Sequence, residues 1–381
     1  MKLDDLRSKI DIIDEKLVAL FGERMDVVSE IAAYKKDSGT AVLDQKRENE
    51  KLKSVSQMAQ PQLENYVRIL FNTLIDLSRS YQRQSLRGDL SPLCKDIQNA
   101  VKNTAKLFPE RATVACQGVE GAFSELAATR LFKQPDIQYF KTFDSVFSAI
   151  ESGFCDYGVL PLENSTAGSV NKVYNLMQTR NFYIVRSIRV KIDHNLVVPK
   201  GVKLEDIKEV TSHEQALAQC AGFLDKLGDI KITPCENTAV AAAMVANGDR
   251  RDLAAICSHT CIKLYDLDCL ERDIQDKSNN YTRFVCISKN MEIYPGADRT
   301  SIILTVPHEP GALYKALGRF YARGISISKL ESRPMPDRDF DFLFYMTLET
   351  SVYSDILFDL LDDMQGFYED FKYLGSYSEV I

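Results

Sequence analysis

Of the 18 glycines in this 381-residue chain, only Gly22, Gly39 and Gly88 precede residue 110. Glycine weakens helix interiors and serves turns, so its near-absence at the start and its regular recurrence afterwards rule out one uniform fold. The first stretch reads as helical and the remainder as mixed α/β. The breaks divide the chain into a helical unit at 1–88 and a connecting segment at 89–110, where Ser91-Pro92 begins a short helix. A mixed unit follows at 111–290, and a final unit at 299–381 begins after the Tyr294-Pro295-Gly296 break. The length suits two or three domains, each with its own core.

Composition narrows the function classes. At 45% hydrophobic and 27% charged residues the chain is an ordinary globular one. No run approaches a membrane span, and the start, MKLDDLRSKID, resembles neither a signal peptide nor a transit peptide, so a cytoplasmic protein is expected. The nine cysteines are odd in number, scattered and without a CxxC pair. Reduced, mostly buried thiols are expected rather than a disulfide framework or a metal site. With 47 basic against 54 acidic side chains and a net charge of −7, nucleic acid is a poor partner, and any anionic ligand must find local cations.

Such cations stand on the first helix. Leu3, Leu6, Ile10, Ile13, Leu17 and Leu20 alternate spacings of three and four, the seam of a long helix packing on another. Continued by the same steps, the seam reaches Arg24, Ile31 and Lys35, so two cations replace apolar residues on the packing face. They lie roughly 16 Å apart in nearly one direction, a span that suits opposite ends of a small dianion. Arg7 points about 100° away and suits a site across a dimer interface. Asp44 opens a second helix on which Asp44, Arg47 and Glu48 share a face. Pro61 opens a third helix, running to about Arg87, whose inward stripe Val67, Leu70, Leu74 continues through Ser78 and Gln82. Taken singly, each of these residues suits a helix-interface ion pair or a partly solvated position; together they outline a site.

The set Arg7, Arg24, Lys35, Asp44, Arg47, Glu48, Ser78, Gln82 closely resembles the all-helical chorismate mutases, which are intertwined helical dimers. The resemblance implies a pericyclic rearrangement of chorismate to prephenate without cofactor or covalent intermediate. By the family pattern Arg7 of a partner subunit, Arg24 and Arg47 hold the two carboxylates. Lys35 and Gln82 donate to the ether oxygen, Asp44 and Glu48 bind the ring hydroxyl, and Ser78 supports substrate binding.

Beyond residue 110, apolar runs each precede a helical pattern: ATVACQ before SELAATRLF, DYGVLPL before VNKVYNLMQ, EVTS before HEQALAQCAGFL. A largely parallel sheet is expected, with ligands beyond its C-terminal strand ends. Gln117-Gly118-Val119-Glu120-Gly121 is not GxGxxG, which argues against a dinucleotide site. Ser124 either touches ligand or merely closes a turn, Ser212 is a plausible helix cap, and His213 has no nucleophile near it in sequence to make a hydrolase triad. GVEGAFSELA, LPLENSTAGSV, TSHEQALAQC and Thr282-Arg283-Phe284 together resemble prephenate dehydratase. Val119 and Asn237 depart from that pattern. The resemblance implies a two-lobed domain similar to periplasmic binding proteins, loss of carbon dioxide and water from prephenate, and an essential Thr282. Substrate contacts would come from Asn164, Ser165, Thr166, Ser212, His213, Thr238, Arg283 and Phe284. Glu163 supplies the acid if burial raises its pKa, and Arg283 either pairs with a carboxylate or holds its strand.

The last unit reads as βαββαβ, a ferredoxin-like arrangement. His308-Glu309-Pro310-Gly311-Ala312-Leu313 and Leu330-Glu331-Ser332-Arg333-Pro334 resemble the ACT regulatory domains of such dehydratases. That resemblance implies phenylalanine bound at Gly311, Ala312, Leu313, Glu331 and Ser332, and inhibition by it. The whole chain thus resembles the family of bifunctional chorismate mutase/prephenate dehydratases, expected as homodimers or homotetramers. Two alternatives stand beside this. One is a dehydratase preferring arogenate, the amino analogue of prephenate; the other is a ligand-binding regulator with a vestigial mutase domain.

Overall fold

The seam that starts at Leu3 becomes helix α1 (Leu3–Ser38), 36 residues and about 54 Å long. The computed structural model describes residues 3–38, 44–86, 90–335, 342–368 and 370–380. Asp44 caps α2 (Gln45–Met58), its carboxylate accepting from Arg47 N at 3.0 Å. Pro61 begins a single 3-10 turn that feeds α3 (Glu64–Leu86). The helix end expected near Arg87 and the unit boundary at 88 lie outside the described residues. Helix α3 folds back on the second half of α1, where Val28 and Ala32 are buried, and α2 packs on α3. Leu3, Leu6, Ile10, Ile13, Leu17 and Leu20 remain between 39% and 61% exposed. The seam therefore finds no cover among the described residues.

Ser91 caps α4 (Pro92–Asn103), accepting from Cys94 N at 3.3 Å. The chain then lays down β1 (Arg111–Gln117), β2 (Gln134–Phe140), β3 (Tyr157–Asn164), β4 (Gly168–Ser169) and β5 (Tyr183–Lys191). It crosses to a second sheet made of β6 (Asn195–Val198), β7 (Glu209–His213), β8 (Lys231–Cys235), β9 (Leu253–Cys257) and β10 (Asp268–Glu271). It returns as β11 (Tyr281–Ser288) between β5 and β3. Two lobes joined by two passages result. The strands β1, β2 and β3 are parallel, as are β7, β8 and β9. Against the expected parallel pattern, β11 runs antiparallel to both its neighbours, because it comes straight back from the second lobe without a crossover helix.

A third sheet contains β12 (Arg299–Val306), β13 (Ser326–Pro334), β14 (Phe342–Glu349) and β15 (Phe371–Tyr377), ordered β13-β14-β12-β15 with every pairing antiparallel. The helix Ala312–Ala322 joins β12 to β13, and the helix Asp355–Phe367 joins β14 to β15, giving the βαββαβ order. One face of this sheet packs Ile302, Leu304 and Met346 on those helices and on Cys94 and Ile97 of α4. The connecting segment is thus part of this core. The opposite face packs Ile303, Leu343 and Tyr345 on Phe147, Tyr174 and Ile184 of the first lobe. Finally β16 (Glu379–Val380) joins the first sheet beside β5. All nine cysteines are unpaired, and all but Cys235 and Cys269 are buried. Among the described residues no helix is long and apolar enough to cross a membrane.

Candidate active sites

In the helical unit, α1 and α3 bring Arg24 and Ser78 into contact. The Arg24 guanidinium donates to Ser78 Oγ and, at 3.3 Å, to the Leu74 carbonyl. Burial pulls its pKa down, the cost of placing a cation on an apolar seam. One turn on, Gln82 is buried, and its Oε1 is shielded from solvent with no hydrogen-bond partner among the described residues. Lys35 and Glu48 are half-buried, and burial pushes the Glu48 carboxyl up against the pull of Arg79 and Lys35. Asp44 and Arg47 stand exposed at the start of α2. Arg7 projects into solvent from the uncovered half of α1 and pairs only loosely with Asp4, at 3.4 Å.

In the two-lobed unit, β3 and β11 place Asn164 opposite Thr282 and Glu163 opposite Arg283. Successive side chains on a strand point to opposite faces, so Asn164 and Thr282 share one face and Glu163 and Arg283 share the other. Asn164 Nδ2 donates to Thr282 Oγ1 at 2.9 Å and to Asn280 Oδ1 at 2.8 Å. Its Oδ1 accepts from the backbone N–H groups of Thr166 and Ala167, at 3.0 and 2.9 Å. From the second lobe, Gln219 Nε2 donates to Thr166 Oγ1 at 2.9 Å, while Gln219 Oε1 accepts from Asn280 Nδ2 and His194 Nε2, each at 2.9 Å. Burial lowers the His194 pKa, and since Gln219 Oε1 can only accept, the hydrogen shared with it sits on Nε2. A cavity of about 300 Å³ opens at this cluster, lined by Thr166, Gln215, Gln219, Asp276, Lys277 and Asn280. Ser165 ties the loop down, donating to the Asn279 carbonyl at 2.7 Å and accepting from Tyr281 N at 2.9 Å. Thr238 begins the helix Thr238–Asn247, capped by Asn237.

Several expected contacts lie elsewhere. Glu163 is ion-paired to Arg283 and, at 2.8 Å, to Lys329 of the third sheet. It faces away from Thr282 and cannot hand a proton to a group beside it. Arg283 is ion-paired to Glu163 and donates to Glu379 at 2.6 Å. Phe284 is 2% exposed within the apolar core of the first lobe. Ser212 is fully buried and donates to the Ile256 carbonyl at 2.6 Å, so it does not cap the helix. His213 is the cap instead, its Nδ1 accepting from Gln215 N at 3.2 Å.

In the third unit, Gly311 adopts φ +83°, open to glycine at no steric cost, and turns the chain into the helix Ala312–Ala322. Ala312 and Leu313 line a cavity of about 350 Å³ with Val306, Glu309, Phe342 and Phe344. Ser332 pairs with Phe344 and so lies on the cavity side of the sheet. Glu331, one residue earlier, faces the first lobe and accepts from Ser169 Oγ at 2.8 Å. It does not join the cavity.

The prephenate dehydratase family matches residues 114–292, and chorismate mutase type II matches residues 6–83. The bifunctional chorismate mutase/prephenate dehydratase of Escherichia coli strain K12 is 30% identical, the alignment covering 98% of this chain and 95% of that one. The chain belongs to this bifunctional family. It is two enzymes in one: a mutase that converts chorismate to prephenate, and a dehydratase that converts prephenate to phenylpyruvate, in phenylalanine biosynthesis. Arogenate dehydratase/prephenate dehydratase 2 of Arabidopsis thaliana is 37% identical, covering 70% of this chain and 73% of its own length. The solved prephenate dehydratase of Arthrobacter aurescens, in complex with L-Phe, superposes with a TM-score of 0.65 at 28% identity, over 70% of this chain and 90% of that one.

Three residues of the dehydratase cluster escaped the sequence analysis. Asn280 sits in the polar loop before the Thr-Arg-Phe triplet. Gln219 had a usable signal: Gln215 and Gln219, four apart on one short helix, both line the cavity. His194 had none, being a single residue between two strands.

Proposed function

We propose that the mutase unit clamps chorismate between two copies of the chain. Arg24 and Arg47 of one copy and Arg7 of the other hold the carboxylates, Lys35 and Gln82 donate to the ether oxygen, and Asp44 and Glu48 accept from the ring hydroxyl. Ser78 keeps Arg24 in place. The rearrangement is unimolecular, so restraint of the substrate plus donors where charge develops is sufficient catalysis. The inward Arg24–Ser78 pair, the buried Gln82 beside it and the uncovered seam of α1 support this assignment.

In the dehydratase, the electron pair of the bond to the departing carbon dioxide moves through the ring and expels the hydroxyl, which leaves as water once protonated. Thr282 accepts from Asn164 Nδ2, so its own hydroxyl hydrogen is available to orient the leaving oxygen. The observation that carries this reading is the hydrogen-bonded Asn164, Thr282 and Asn280 cluster, of which Asn280 lines the cavity. The third unit acts as an ACT sensor. Phenylalanine would enter the cavity beside Gly311, with its carboxylate at the start of the helix Ala312–Ala322, and would inhibit by favouring a less active arrangement.

One experiment tests these assignments together: purified protein incubated with chorismate, following chorismate, prephenate and phenylpyruvate with and without phenylalanine. The unaltered chain should deliver phenylpyruvate, more slowly when phenylalanine is present. Thr282→Ala should stop at prephenate. Lys35→Ala should lose on the order of 100-fold or more in mutase turnover while still converting added prephenate. Normal mutase turnover in Lys35→Ala, or normal dehydratase turnover in Thr282→Ala, would refute the corresponding site.

A further inference from the structure

The mutase assignment accounts for Ser78 and Gln82 on α3 but not for the cation between them, Arg79. Its side chain is only 12% exposed. Its Nε lies 3.5 Å from Glu48 Oε1 on α2, and its Nη2 donates to Asp76 on its own helix. The guanidinium is therefore gripped from behind and presented to Glu48. A buried cation fixed in this way, an ion-pair distance from Glu48, biases the orientation of the carboxylate it meets.

From this geometry we infer that Arg79 is a positioning residue of the mutase reaction, aiming Glu48 at the ring hydroxyl of chorismate. The inference rests on the assignment of Glu48 to that hydroxyl. Among the described residues, the charged groups acting most on Glu48 are Arg79 and Asp76 from α3, Lys35 from α1 and Lys315 from the helix Ala312–Ala322 of the third unit. Burial and Asp76 favour the protonated carboxyl, whereas Arg79, Lys315 and Lys35 favour the carboxylate. Only the carboxylate accepts a hydroxyl hydrogen with either oxygen, so Arg79 serves two ends, orientation and ionisation. Without it the carboxyl would take up a proton at higher pH, and the acidic limb of the mutase profile would move with it.

The test uses the full chain with Arg79→Gln, Arg79→Lys and Glu48→Gln. Mutase kcat and KM are measured from about pH 5 to about pH 9, with turnover of added prephenate as the check on folding. Arg79→Gln should shift the acidic limb upward by about one pH unit and raise KM for chorismate several-fold near neutrality, with recovery at high pH. Arg79→Lys should restore most of both. Glu48→Gln should raise KM and abolish the acidic limb. If Arg79→Gln leaves limb and KM in place while Glu48→Gln alters them, Arg79 has no positioning role and the Glu48 assignment stands. If Arg79→Gln lowers mutase activity equally at every pH and lysine does not restore it, the residue is merely structural. If Glu48→Gln changes nothing, the assignment of Glu48 falls and the inference with it.

Discussion

A single residue step separates the two halves of the LPLENSTAGSV motif into different jobs. Asn164 shares the face of Thr282 and organises Thr282, Thr166 and Asn280; Glu163 faces the third sheet and pairs with Arg283 and Lys329. Asn164→Asp exchanges the donor aimed at Thr282 Oγ1 for an acceptor and sets a carboxylate oxygen against Asn280 Oδ1. Dehydratase kcat should fall about 100-fold, the usual loss when an oriented donor in a reaction site is removed, while mutase turnover is unchanged. Separate assays on prephenate and chorismate check this. The motif itself was plain in the sequence, but which of its residues faces the site was not. A strand buried on both faces, as β3 is over Tyr157–Leu160, carries no alternation of polar and apolar residues from which a side could be read. Glu163 and Phe284 were therefore assigned to the wrong surface, and Ser212, a polar residue wholly inside the second lobe, was assigned to a surface it does not reach.

At the scale of elements, β13 links the third unit to the dehydratase. Lys329 reaches Glu163 at 2.8 Å, Glu331 accepts from Ser169 Oγ at 2.8 Å, and Arg333 donates to Asn171. These partners flank the end of β3 at Asn164 and the β3–β4 loop that contains Thr166. The other side of the same sheet faces the cavity beside Gly311, so a shift of β13 on filling that cavity would be felt directly by the dehydratase loop. Lys329→Met should thus weaken inhibition by phenylalanine at least fivefold while keeping uninhibited turnover within a few-fold. Such a loss matches a modest coupling energy between two sites. Inhibition curves on prephenate check it, and unchanged curves would place the coupling elsewhere. The helices were largely legible: the Asp44 and Ser91 caps and the Pro61 turn occur where side-chain chemistry calls for them. The partner of a helix is a different matter. Cys94, Ile97 and Ala100 mark a buried stripe on α4, yet nothing local says that the stripe belongs under a sheet beginning some two hundred residues later.

At the scale of the molecule, the uncovered half of α1 decides how the mutase site is completed. Six seam residues from Leu3 to Leu20 are substantially exposed, more apolar surface than a lone helix sustains in water, and Arg7 stands among them, remote from Arg24 and Ser78. If a second copy covers this seam antiparallel to the first, each Arg7 serves the site built around the other chain's Arg24. Arg7→Ala and Arg24→Ala proteins should each be nearly inactive as mutases. Refolded together, they should recover about a quarter of normal activity, because half of the dimers are mixed and each mixed dimer has one site with both arginines intact and one with neither. Dehydratase turnover supplies the common reference, since both substitutions lie outside the two-lobed unit. Recovery requires that the two arginines of one site come from different chains. If they came from the same chain, every site in the mixture would lack one arginine and mixing would restore nothing.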